Sequence, residues 1–144
     1  MAAAVAIAGS PVSAGERSSG LDLSRYRGKV VYLDFWASWC APCKLSFPYM
    51  ERLAYAYSGQ RLVIIAVNVD HSRERADAFL SQVGGTLPVV YDSKGDIARR
   101  YGVQEMPTSI LIDRDGRVRY VNKGFFAGQM PLYEARISEL LNEK

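Results

Sequence analysis

Two runs, Val30–Trp36 (VVYLDFW) and Leu62–Val69 (LVIIAVNV), restrict this chain more than any other feature. Both are rich in β-branched and aromatic residues. Their apolar side chains occupy successive positions, which suits a strand covered on both faces. Strands of that kind need helices above and below, and the intervening sequence supplies them. After Cys43, the apolar residues Leu45, Met50, Leu53, Ala54 and Tyr57 recur at helical spacing until Ser58-Gly59, and Pro48 inside this stretch predicts a kink. The stretch His71–Val83 sets Ala76, Phe79, Leu80 and Val83 on one helical face and stops at Gly84-Gly85. A short strand at Leu87–Tyr91, a helical piece at Asp96–Tyr101 and a strand at Thr108–Ile112 continue the alternation. Asp113-Arg114-Asp115-Gly116 reads as a turn pairing Ser109–Ile112 with Val118–Val121 as a hairpin. It lacks the ligand series of a calcium loop. The closing stretch, Pro131–Lys144, predicts a helix with Leu132, Ala135, Ile137 and Leu140 turned inward. The pattern is that of an α/β sandwich whose sheet the hairpin makes mixed.

At 144 residues the chain is long enough for one domain with a substantial core. Its hydrophobic share of 49% and charged share of 23% exclude a disordered or fibrous protein. A dispersed net charge of +3 points to no nucleic-acid surface. The first residues, MAAAVAIAGSPVSA, are small and apolar and end in Val12-Ser13-Ala14, as a signal-peptidase site would, although no basic residue precedes them. Residues 1–20 are therefore expected to be a flexible arm or the remnant of an export signal or anchor, with SAGERSSG (Ser13–Gly20) as linker and 21–144 as the folded domain. No run approaches the roughly 20 apolar residues that span a bilayer.

Chemistry is concentrated at the only two cysteines, Cys40 and Cys43. A bridge between residues three apart constrains the unfolded chain little, so stability is a poor reason for the pair. With His71 as the single histidine, a zinc site lacks ligands, and haem attachment would need His where Lys44 stands. The pair sits where a buried strand runs into a helix, which places Cys40 at or just before the helix N-terminus and Cys43 in its first turn. Free backbone N–H groups and the positive end of the helix dipole favour a thiolate there. Cys40 is then the nucleophile that attacks a partner disulfide, and Cys43 resolves the mixed disulfide. Pro42 stiffens the loop at a position where no backbone donor is missed.

The segment FWASWCAPC resembles the active site of the thioredoxin superfamily, and the longer run GKVVYLDFWASWCAPCK resembles its TlpA/ResA-like bacterial thiol:disulfide oxidoreductases. Met106-Pro107-Thr108 resembles that superfamily's cis-proline loop, and the separation of Cys40 from Pro107 leaves room for the extra helix and strand of the TlpA/ResA-like branch. The resemblance implies a thioredoxin-like three-layer sandwich, with helices on both faces of a mixed sheet and a helix–strand insertion. It implies a protein-disulfide reductase, in which Cys40 is an exposed attacking thiol, Cys43 a buried resolving thiol and Pro107 part of the substrate groove. It further implies no cofactor beyond the dithiol, protein clients with cysteines, a membrane or soluble electron donor, a monomer, and a periplasmic or otherwise extracytoplasmic setting, with the cytoplasm as alternative. Service in cytochrome biogenesis is one such role, but the glutamate often found near the cis-proline in that branch is not evident in Gln104–Ser109.

Asp34 lies in an otherwise apolar strand, where burial should raise its pKa and fit it to accept the Cys43 proton. Trp39 would offer a partner a flat apolar surface beside Cys40, while Trp36 packs beneath the site. Met106 and Thr108 would present backbone groups to an extended substrate. His71 reads as a capping or surface residue. Two other readings of the cysteines stand beside this one. A thiol peroxidase shares the fold, but its cysteine sits in a Pro-x-x-x-Thr-x-x-Cys setting, whereas Trp36, Ala37, Ser38 and Trp39 precede Cys40. A non-catalytic copper-binding or chaperone module resembling Sco-type proteins would use CxxxC and a distant histidine.

Overall fold

In a computed structural model the described residues are 17–18 and 20–144, so the apolar run Met1–Ala14 lies outside them. Six strands form one sheet: β1 (Arg17–Ser18), β2 (Val30–Trp36), β3 (Leu62–Asn68), β4 (Val89–Tyr91), β5 (Thr108–Ile112) and β6 (Val118–Lys123). Their order is β1-β4-β3-β2-β5-β6. The first four pair in parallel, and β5 and β6 run antiparallel to what precedes them. Among the described residues four α-helices complete the fold: α1 (Cys43–Ala56), α2 (Arg73–Val83), α3 (Asp96–Arg100) and α4 (Met130–Asn142). This is the thioredoxin-like three-layer arrangement, with α2 and β4 as the helix–strand insertion.

The continuous apolar character of β2 is explained by its place between β3 and β5, where all seven residues are buried. Alternation along the strand sends Val30, Tyr32 and Trp36 to the layer of α1, α2 and α4, and Val31, Leu33 and Phe35 to the layer of α3. Trp36 packs against Phe47 of α1 and Phe79 of α2, each at a ring separation of 4.9 Å. The Asp113 turn forms as read, its carboxylate accepting the backbone N–H of Asp115 and of Arg117.

Three details depart from the sequence reading. Arg17–Ser18, within the stretch read as arm and linker, adds a short parallel strand beside Val89–Val90. Leu45, read with Met50 and Leu53 as one apolar series at helical spacing, is 67% exposed. The inward stripe of α1 starts at Cys43 and continues through Phe47, Met50 and Leu53, and Leu45, two residues on from Cys43, is carried about 200° round the helix. In α4, Tyr133, Ile137 and Leu140 form the buried row, so Leu132 and Ala135 face outward. His71 is exposed, the surface reading of the two offered: the Ser72 hydroxyl caps α2 by accepting from the Arg75 N–H, while His71 Nδ1 lies 3.0 Å from the Ser93 carbonyl.

Candidate active site

The register of the sheet assembles this site. Phe35, next to last in β2, pairs with Thr108, first in antiparallel β5. The segment leaving β2 and the segment entering β5 therefore meet at one end of the sheet. The first segment is the cysteine loop and the second the Met106–Pro107 loop, so residues far apart in sequence share an edge.

Within the cysteine loop the Cys40 N–H donates to the Ala37 carbonyl at 3.1 Å, and the Cys43 N–H donates to the Cys40 carbonyl at 3.2 Å. Cys40 and Cys43 form a disulfide with Cα atoms 5.4 Å apart. Cys43 is the first residue of α1 and Cys40 lies in the turn before it. Pro42, exposed at the cap position, lacks an N–H where the helix has no internal acceptor to offer. Cys43 is fully buried. Cys40, expected to be exposed, is only 3% so, because its sulfur is turned inward and bonded to that of Cys43 at the head of the helix.

Opposite, the Met106–Pro107 peptide bond is cis, as the family resemblance implies. Pro107 and Thr108 are buried and Met106 half-buried. The Thr108 hydroxyl donates to the Glu105 carbonyl at 2.7 Å, and the Pro107 carbonyl accepts from the Gly124 N–H at 2.7 Å. Trp39, beside Cys40, is 67% exposed. Trp36 is buried with its indole Nε1 unpartnered.

Asp34 lies on β2 between Tyr32 and Trp36, so its side chain takes the face covered by α1, the helix that begins at Cys43. It is 2% exposed, and Oδ2 is buried without a hydrogen-bond partner. Burial pushes its carboxyl well above the usual carboxylate range. On the same face, burial and then the charge of Asp34 raise the Tyr32 phenol above its ordinary range.

Two groups at the site escaped the sequence reading. The carboxylate of Asp70, just past β3, accepts from the Ser38 N–H and from the Ser38 hydroxyl, both at 2.8 Å. The loop after β6 bonds the cis-proline through one backbone hydrogen bond. Gly124, at φ +82°, holds the Pro107 carbonyl, and the exposed ring of Phe126 lies where a Cβ on Gly124 would stand, 3.0 Å away. The adjacent Phe125-Phe126, just past the mixed polar strand Val118–Lys123, is the sequence signal for the second group. For the first, nothing in the sequence connects Ser38 to a residue on another strand. Among the described residues no three His, Cys, Asp or Glu side chains are grouped to hold a metal ion, and no helix is long and apolar enough to cross a membrane.

Comparison with known proteins agrees with this geometry. The chain is 40% identical over 102 residues to the thiol-disulfide oxidoreductase ResA of Geobacillus thermodenitrificans, covering 71% of this chain and 59% of that protein. It is 37% identical over 110 residues to ResA of Bacillus subtilis, covering 76% and 62%. It thus spans about three fifths of the length of these relatives. Among solved structures, a candidate thiol:disulfide interchange protein DsbE from Chlorobium tepidum superposes with a TM-score of 0.82 at 39% identity, over 93% of this chain and 97% of the other. StoA from Bacillus subtilis matches with a TM-score of 0.65 at 28% identity, over 75% and 84%. The sequence profile of the Redoxin family matches residues 8–137, which takes in the cysteine loop, the cis-proline and most of α4, and the chain belongs to that family.

Proposed function

We propose that this chain is a thiol:disulfide oxidoreductase that reduces disulfides in protein clients through its Cys40–Cys43 dithiol. The observation that carries this reading is the Cys40–Cys43 disulfide at the head of α1, on the same edge as the cis Met106–Pro107 bond. The names of the relatives point the same way.

In the reduced protein the Cys40 thiolate, favoured by the free N–H groups at the start of α1, attacks one sulfur of a client disulfide. A Cys40–client bond forms, and the other client sulfur leaves as a thiolate and takes a proton. Cys43 then loses its proton to Asp34 and attacks Cys40 Sγ. The mixed disulfide breaks, the Cys40–Cys43 bond forms, and the client carries away both electrons as a dithiol. Asp34 suits the proton transfer because burial makes its ionised form a stronger base than an ordinary carboxylate, so the deprotonated fraction takes the Cys43 proton readily. Trp39, Met106, Pro107 and Thr108 would receive the client as an extended segment, its backbone pairing beside the cis-proline. The dithiol needs no further cofactor. A membrane or soluble electron donor restores it, and an extracytoplasmic setting and a monomeric state belong to the same reading. Nothing in the geometry favours the peroxidase or copper-binding alternatives.

The test uses the two single cysteine variants. Cys43→Ser should accumulate a mixed disulfide through Cys40 when mixed with an oxidised client, and Cys40→Ser should not. Equal trapping by both would overturn the order of attack, and no trapping by either would overturn the function.

A further inference from the structure

Asp70 has no part in the chemistry above, yet it is tied into the cysteine loop. Its residue is 5% exposed, and Asn68 beneath it 1%. Oδ2 accepts from the Ser38 N–H and from Asn68 Nδ2, both at 2.8 Å, and Oδ1 accepts from the Ser38 hydroxyl at 2.8 Å. The Asp70 N–H in turn donates to Asn68 Oδ1 at 3.0 Å. The base of this clamp is fixed by the Val69 N–H on the Trp36 carbonyl and the Asp92 N–H on the Asn68 carbonyl. Three donors converge on one side chain, and a carboxylate accepts all three without offering a hydrogen of its own. Among the described residues no Lys, Arg or His forms an ion pair with it.

We propose that Asp70 is a positioning residue for the dithiol: it clamps the Ala37–Trp39 turn through Ser38, two residues before Cys40, and by holding a negative charge against that turn makes the Cys40–Cys43 couple more reducing. A buried charge without a cation acts on its neighbours with little screening. It opposes the thiolate form of Cys40, which exists only in the reduced protein, and so shifts the couple toward the disulfide. The inference rests on the proposed function only in treating Cys40–Cys43 as a working dithiol.

The equilibrium that reports it is protein disulfide plus two glutathione, giving protein dithiol plus glutathione disulfide. Asp70→Asn keeps the shape and removes the charge. Ser38→Ala keeps the charge and removes one hydrogen bond. We expect Asp70→Asn to raise this constant about three- to tenfold, which is about 15–30 mV toward a more oxidising couple. The same variant should speed alkylation of Cys40 by iodoacetamide at neutral pH by a similar factor. Ser38→Ala should stay within twofold of the parent in both. An Asp70→Asn protein within twofold of the parent would overturn the charge effect, and so would an equal shift from Ser38→Ala, which would assign the effect to loop position alone. Should Asp70→Asn fail to fold, Asp70→Ser is read against the same limits. These readings need no client, so a failed client assay leaves them standing; a dithiol that never forms reversibly in glutathione would remove both proposals.

Discussion

Asp34 carries a stability cost whose sign and slope can be worked out in advance. Burial raises its carboxyl well above the usual range in the folded protein, while in the unfolded chain it titrates near the ordinary value. The folded state therefore holds a proton that the unfolded state has already lost. Stability depends on pH as 2.303RT times the protons bound unfolded minus those bound folded, so each pH unit in that window removes about 1.4 kcal/mol. The contribution is intact below the ordinary carboxylate range and disappears as pH rises through the raised folded value. Asp34→Asn has nothing to titrate, so the variant should gain on the parent by about 1.4 kcal/mol per pH unit across the window. For a domain of this size that is about 5 °C in melting temperature per unit. The assay is thermal unfolding of both proteins as disulfides, so that no thiol titrates, from pH 4.5 to 7.5. A constant separation of the two melting temperatures across this range would mean that Asp34 ionises alike in folded and unfolded chains, against any effect of burial on it.

The same substitution should slow client reduction more at neutral pH than at high pH, where Cys43 loses its proton unaided; equal slowing throughout would leave Asp34 a purely structural residue. Phe47→Ala should cost about 3–5 kcal/mol in denaturant unfolding, because Phe47 is 1% exposed and wedged between Trp36 and Phe79; a loss under 1 kcal/mol would show that the cluster collapses into the space. Phe126→Ala should lower kcat/KM for a protein disulfide about fivefold without lowering the melting temperature, as the ring is 57% exposed beside Gly124 and the cis-proline. Unchanged kcat/KM would place client contacts elsewhere.

The sheet's central strands, the helix after Cys43 and the hairpin after Asp113 could be read from the sequence because their signals are local. Burial on both faces leaves β2 and β3 continuously apolar, and a turn is written in its own few residues. The helix phases were harder. Leu45 and Leu132 are apolar and well spaced, but which stripe faces inward is fixed by where α1 is tied at Cys43 and by how Tyr133 of α4 meets Tyr49 and Phe125. Arg17–Ser18 carries no strand signal of its own; it pairs because β4 leaves an open edge.

At the site, two thiols at a strand-to-helix junction, a proline after a long gap and a carboxyl in an apolar strand are properties of residue type and order. Which other groups attend them depends on how the strands come together. Asp70 reaches Ser38 across 32 residues, and Gly124 reaches the Pro107 carbonyl from the far side of a hairpin. Such contacts arise because parallel β2 and β3 end together, while antiparallel β5 begins where β2 stops. The position of a hydrogen-bond partner across strands is a matter of register, and register is settled only when the whole sheet buries its two faces at once.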